Sequence, residues 1–280
     1  MNTQTDTTGS DLKRLFIHNR SVSSAHTLAT IEKIESGWIL PLVTGLTART
    51  PALGSREQWV QALDDLLAEE RRGTDAGRYL AEEASREEFV LVVREFALDG
   101  LTEAQNFFPA IPRLPIKAQM AVMRVLIDEF GCGNLRRAHS TLYLDLLAEL
   151  GLPQDLDSFL DCTADETFAF LNVFYWLTQR APHMEYFLGA LAYLEASIPD
   201  AFTVQARACR RLGIENSRYY TEHLHIDAFH MKEMRLAVRE YEAVHGLDPT
   251  KVWIGTLLLS SLIGSAFGSA VWRAKRQAAA

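Results

Sequence analysis

The sequence predicts an all-α protein. Apolar residues recur at helical spacing through most of the chain, segments that alternate apolar and polar residues are few, and the breaks between periodic segments are short and hold Gly or Pro. Candidate helices fall at 21–46, 55–70, 86–108, 117–130, 135–149, 155–179, 183–196, 201–212, 217–245 and 251–275. The breaks at Gly100, 109–115, 131–133, 151–153, Ala181-Pro182, Gly213 and 246–249 are too short for interdomain linkers. One domain over 13–280 is therefore expected, behind a polar, Thr-rich tail at 1–12 that is expected to be disordered.

Composition narrows the function classes. With 280 residues, 48% of them hydrophobic, the chain can bury a sizeable core. Its net charge of −8 comes with no cluster of Lys and Arg, so nucleic acid is not an expected partner. Cys132, Cys162 and Cys209 are widely spaced and odd in number, which argues against a disulfide framework or a Cys-based zinc site and for a reduced, cytoplasmic setting. No apolar stretch follows a basic start, so a secretory signal is not expected.

Taken in order, the helices carry isolated polar donors among apolar residues. Glu103 lies in Leu101-Thr102-Glu103-Ala104, near the end of the 86–108 segment. Glu129 closes the 117–130 segment, and His139 follows ten positions later across Gly131-Cys132-Gly133, so the two are not expected on one straight helix. Glu195 follows six apolar or small residues at 189–194. A carboxylate among apolar neighbours is costly to bury unless it is paired or binds a metal, although a helix-end or surface position is the commoner explanation for any one of them.

The segment 217–245 is the most informative. At about 100° per residue, His223, Asp227 and His230 fall within an arc of roughly 60°, while His225 projects to the other side. Two imidazoles and a carboxylate on one stripe offer the mixed nitrogen and oxygen donors that suit iron, manganese or zinc rather than calcium. A helical-bundle site collects such donors from several helices, and Asp227-x-x-His230 is an Asp version of the Glu-x-x-His element used there.

The last segment raises a membrane alternative, since 252–272 is uncharged and long enough to span a bilayer. Ser260, Ser261, Ser265, Ser269 and the glycines between them dilute its hydrophobicity and suit close helix packing. A buried closing helix, with no membrane contact, is the expectation.

On Glu103, the 129–139 segment with the 140–152 run behind it, Glu195 and His223-x-x-x-Asp227-x-x-His230, the chain resembles the haem-oxygenase-like diiron oxidases and oxygenases from about residue 86 onward. The resemblance implies a haem-oxygenase-like bundle of about seven core helices, here with N-terminal accessory helices. It also implies two irons, cycling between Fe2+ and Fe3+ and held by Glu103, Glu129, His139, Glu195, His223, Asp227 and His230, with O2 as co-substrate and no haem. The activity implied is that of a non-haem diiron oxidoreductase on a small amine or amino-acid-derived substrate, by N-oxygenation or oxidative C–C cleavage in specialised biosynthesis. Oxidative decarboxylation or desaturation of an aliphatic or fatty acid is the alternative within the family. Outside it stand a non-catalytic helical binding module and a haem oxygenase, for which His18 and His26 are the available proximal ligands. An external electron donor and a homodimeric assembly are left open.

For the substrate, Arg211 and Arg218 could hold a carboxylate in bidentate fashion, and Tyr219 and Tyr220, one turn before His223, could border the pocket. Solvent-facing arginines and packed aromatic rings are the ordinary roles of these residue types.

Overall fold

Thirteen α-helices and three short 3-10 segments, with no strand, make up the described residues of the computed structural model. These are residues 10–278, and within them the side chains of His225, Asp227 and Ala228 lie outside the described set. The helices are α1 (Asp11–Asn19), α2 (Ala25–Arg49), α3 (Arg56–Glu70), α4 (Asp75–Glu82), α5 (Arg86–Glu95), α6 (Ala97–Thr102), α7 (Ile116–Glu129), α8 (His139–Glu149), α9 (Asp157–Leu160), α10 (Asp165–Gln179), α11 (Met184–Leu212), α12 (Arg218–His245) and α13 (Pro249–Gln277).

The first five helices each start behind a hydroxyl residue. Ser10, Ser24, Ser55, Thr74 and Ser85 accept from a backbone N–H of the first turn, satisfying a donor that would otherwise be orphaned. α1 therefore begins at Asp11, just inside the expected disordered tail, whose residues 1–9 lie outside the described residues. The expected helix at 155–179 is two, because Thr163 turns its hydroxyl back onto the carbonyl of Phe159 and α9 stops there. The two expected at 183–196 and 201–212 are one, since α11 runs through Pro199.

A continuous apolar core reaches from Phe16 in α1 to Ala274 in α13. α10 lies at its centre, with every residue from Thr167 to Thr178 buried. α11 packs between α12 and α13, and α7 runs along α12. The α11–α13 crossing is backbone on backbone: a β-carbon at Gly189 would strike the carbonyl of Val252, and one at Gly255 the carbonyl of Tyr186. Thr256 fastens the same crossing by donating to the Gly189 carbonyl at 3.0 Å.

Among the described residues, α13 alone is long and apolar enough to cross a membrane. Val252, Ile254, Leu258, Leu259 and Ala266 on it are covered by other helices, whereas Ser261, Gly264 and Ser265 are exposed, so the helix is buried along one face and, of its glycines, Gly255 alone makes the close approach.

Candidate metal centre

Four of the donors sit where a helix begins, ends or is interrupted by proline. Glu103 directly follows α6, and the next residue, Ala104, adopts a left-handed conformation (φ 58°) that breaks the helix there. Glu129 is the last residue of α7 and His139 the first of α8. Between them Gly131 (φ 62°), Cys132 (φ 53°) and Gly133 (φ 80°) all take positive φ and fold the chain back on itself. Glu195 lies one turn before Pro199, which has no N–H to return to the residue-195 carbonyl, so the α11 ladder opens at that turn. His223 and His230 are two turns apart on α12.

These placements bring six of the seven sequence-predicted donors into two groups that share one member. Glu103, Glu129, His139 and His223 each offer an atom within 4.8 Å of the others, and so do Glu129, Glu195 and His230. His139 Nδ1 is 2.8 Å from Glu129 Oε2, and His223 Nε2 is 3.2 Å from Glu103 Oε1 and 4.0 Å from Glu129 Oε2. On the other side, His230 Nδ1 is 3.0 Å from Glu195 Oε2 and 3.6 Å from Glu129 Oε1. The seventh predicted donor, Asp227, has its side chain outside the described residues.

The hydrogen-bond pattern tests whether the residues fit a metal. His223 Nδ1 lies 2.7 Å from the Tyr219 carbonyl, which can only accept, so the proton of the neutral ring is on Nδ1 and the lone pair on Nε2 points at two carboxylates. Acceptor faces acceptor, an arrangement that requires a cation or a proton between them. Glu103 Oε2 is buried with no hydrogen-bond partner among the described residues, and the 2.8 Å approach of His139 to Glu129 lacks hydrogen-bond alignment. Buried carboxylates and imidazoles with uncommitted lone pairs are the donor chemistry of iron.

Electrostatics describe the same mismatch. Burial, reinforced by repulsion from Glu129, pushes the Glu103 carboxyl up to about 8. Glu103 keeps 17% of its side-chain surface accessible, too narrow an opening to restore bulk hydration. Burial also works to raise Glu129, but the neighbouring His139, then His223 and His230, overcome it and hold that carboxyl below its ordinary range. Two adjacent carboxyls are thus driven apart, one favouring its proton and one its charge.

A family model described as iron-containing redox enzyme matches residues 90–261, more than half of the chain and every donor above. The chain belongs to that family. The chain is also similar to the nitrosourea synthase of Streptomyces achromogenes subsp. streptozoticus, at 30% identity over 143 residues, or 50% of this chain. The similar stretch is 30% of that relative's length, so the chain corresponds to a part of it. The all-α, haem-oxygenase-like bundle expected from the sequence is the fold found, and its carboxylate and histidine cluster is compatible with the iron the family carries.

The four residues read as substrate-binding occupy different settings. Arg211 donates to the carbonyls of Leu80, Ala81 and Ala84, closing the C-terminal end of α4. Arg218 is exposed and faces Glu222, one turn along α12, at 3.4 Å. Tyr219 is buried with its hydroxyl 3.2 Å from Glu103 Oε1, against a donor carboxylate. Tyr220 is buried edge-on to Phe202 and Tyr219.

Two acidic residues beside the cluster carried no role in the sequence reading. Asp128 places Oδ2 3.4 Å from His230 Nε2. Asp99 stands one turn before Glu103, and burial, then the charge of Glu103, push its carboxyl up to about 8. The adjacency of Asp128 to Glu129 was visible in the sequence, but its direction is set by how α7 lies against α12.

Proposed function

We propose that this iron-containing redox enzyme is an O2-dependent non-haem diiron oxidase or oxygenase acting on a small amine or amino-acid-derived substrate in specialised metabolism. The observation that carries the reading is the sharing of Glu129 between two donor groups, one completed by Glu103, His139 and His223 and the other by Glu195 and His230. A carboxylate common to two groups suits a bridge between two metal ions, and Asp227, on the same stripe of α12 as His223 and His230, is proposed as a further ligand.

When bound, a pair of ferrous ions supplies oxygen activation, with the hard carboxylates favouring the ferric state. The chain's own groups position and shield. The Tyr219 carbonyl fixes the tautomer and plane of His223, and the Tyr219 hydroxyl donates to Glu103. The rings of Phe202 and Tyr219 pack against His223 and each other, and Tyr143 packs behind Tyr219, keeping water from that side of the cluster.

The nitrogen-bearing product named in the relative's description supports an amine-derived substrate. No haem is expected, because the carboxylates that converge with the histidines suit separate metal ions rather than a porphyrin iron. A cytoplasmic setting, without a nucleic-acid or membrane partner, is part of the same proposal and is supported by the free thiols of Cys132, Cys162 and Cys209 and by the acidic net charge.

Anaerobic titration tests the centre: about two ferrous ions should bind per chain, and adding oxygen should produce an absorbance transient. Binding of a single ion, or none, sinks the diiron reading. A screen for substrate-triggered oxygen consumption tests the chemistry, since a response to fatty acids and not to amines or amino acids would move the assignment to the aliphatic alternative.

A further inference from the structure

His230 has two ring nitrogens with different surroundings. Nδ1 faces Glu195 Oε2 at 3.0 Å and Glu129 Oε1 at 3.6 Å, the carboxylates of the second donor group. Nε2 points the other way, with Asp128 Oδ2 3.4 Å away but outside hydrogen-bond alignment. His230 is fully buried, whereas the Asp128 side chain retains 20% accessibility and sits at the edge of the cluster. Its other oxygen, Oδ1, accepts from the Cys132 thiol at 3.4 Å, across the turn that leads from Glu129 back to His139.

We infer that Asp128 is the positioning residue of the second metal position: an ion held through Nδ1, in place of the Nδ1 hydrogen bond to Glu195, would leave the ring proton on Nε2, where Asp128 stands to accept it and fix the ring plane. This rests on the diiron reading above. The physical reason is that an imidazole has one proton when neutral, and a carboxylate at one nitrogen decides which nitrogen carries it and makes the opposite nitrogen a stronger donor. The neighbouring histidine obtains the same service from a main-chain carbonyl, Tyr219 to His223. Nε2 of His230 looks toward α7, which runs along α12. A carboxylate from the last turn of α7 meets it there, and the next residue is Glu129 itself. One turn of α7 therefore supplies both the shared carboxylate and the support of the histidine opposite.

The test uses the full chain with Asp128→Ala, Asp128→Asn and Cys132→Ala, titrated anaerobically with ferrous iron and followed by Mössbauer spectroscopy of iron-57. Wild type should bind two ions. Asp128→Ala should weaken one of the two steps by about 10–100-fold, the range usual for loss of a metal ligand's outer partner. The quadrupole doublet it loses should be the one lost in Glu195→Ala. Asp128→Asn, which keeps an acceptor of the same shape without the charge, should fall between, and it keeps the test decisive if the alanine variant folds poorly. Cys132→Ala should bind as wild type, which separates support of His230 from support of the turn. Two unaltered steps in both Asp128 variants would overturn the inference while leaving the diiron reading standing. A wild-type chain that binds no iron would overturn the diiron reading first.

Discussion

His139 Nδ1 lies 2.8 Å from Glu129 Oε2 although the two residues are ten positions apart and belong to different helices. The Gly131–Gly133 turn makes this possible by reversing the chain between α7 and α8 within a few residues. The centre therefore depends on backbone conformation as much as on its donors.

Gly131→Ala should damage the centre without touching a donor. Gly131 has φ 62°, and a β-carbon there would approach Ala138 N to 2.5 Å and the Arg137 carbonyl carbon to 2.6 Å, both main-chain atoms that cannot swing aside. Strain of about 1–3 kcal/mol is expected from the left-handed conformation alone. His139 should be displaced with Ala138, so thermal melting should fall and ferrous affinity should fall further than a comparable surface substitution causes. Gly133→Ala, at φ 80° with open space around it, should cost stability while sparing iron binding more. Equal effects of the two on iron affinity would contradict this account.

His230→Ala should remove one of two bound irons and abolish turnover while circular dichroism reports nearly unchanged helix content. The residue is fully buried among Glu129, Glu195 and Asp128, and α12 packs through Met234, Ala237 and Val238 independently of it. His225→Ala should keep activity, because helical geometry aims that position away from the His223 and His230 stripe. Loss of activity in His225→Ala as severe as in His230→Ala would show that the faces of α12 are misassigned.

Much of the cluster was legible because helical periodicity puts His223 and His230 on one stripe and because Glu103 and Glu195 stand alone among apolar neighbours. What was not legible depends on tertiary contact or on backbone strain. The segment expected as one helix at 86–108 breaks after Thr102 because Ala104 takes a left-handed conformation, and alanine gives no local sign of that. Separate helices were expected at 183–196 and 201–212, yet α11 continues through Pro199 between them, packed against α12 and α13. Asp128 could be distinguished from any other helix-end acid only once α7 was seen against α12. Arg211 shows the reverse, a cation near the start of α12 whose partners are the carbonyls of a helix that had not been anticipated.

Gly189→Ala and Gly255→Ala should each destabilise the fold. In both cases the added methyl meets a main-chain carbonyl of the facing helix, so relief requires α11 and α13 to separate. Overpacking typically costs about 1–3 kcal/mol, and an obstacle that is backbone puts these substitutions at or above the upper end. Gly264→Ala and Gly268→Ala on the same helix meet nothing within 4 Å and should be neutral or slightly stabilising, since alanine is the better helix former. Denaturant midpoints of the four variants provide the comparison. A soft response at Gly189 would mean that the crossing is looser than its geometry implies.

The stability of the metal-free chain should fall as pH rises from about 4.5 to about 8, the interval over which Glu103 binds its proton more tightly in the folded than in the unfolded chain. The sign follows from linkage: a carboxyl whose folded pKa is raised gives the native state the extra proton in that window, and each rise in pH penalises the state that holds it. Asp99, also carried up to about 8, contributes in the same direction. Glu129 does not, because its carboxyl is held low and stays charged across the interval. Iron reverses the dependence. An ion bound through Glu103 must displace that proton, so ferrous affinity and the stabilisation it confers should both grow with pH over the same range. Thermal melts of wild type and Glu103→Gln, with and without ferrous iron under anaerobic conditions, isolate the effect from other titrating groups. The difference between wild type and variant should slope with pH in the metal-free samples, and the iron-induced shift should be smaller in the variant at every pH. A wild-type minus variant difference that is flat from about pH 5 to 8 would mean that Glu103 is not the proton-bearing carboxyl, and that the cluster holds its charge in some other way.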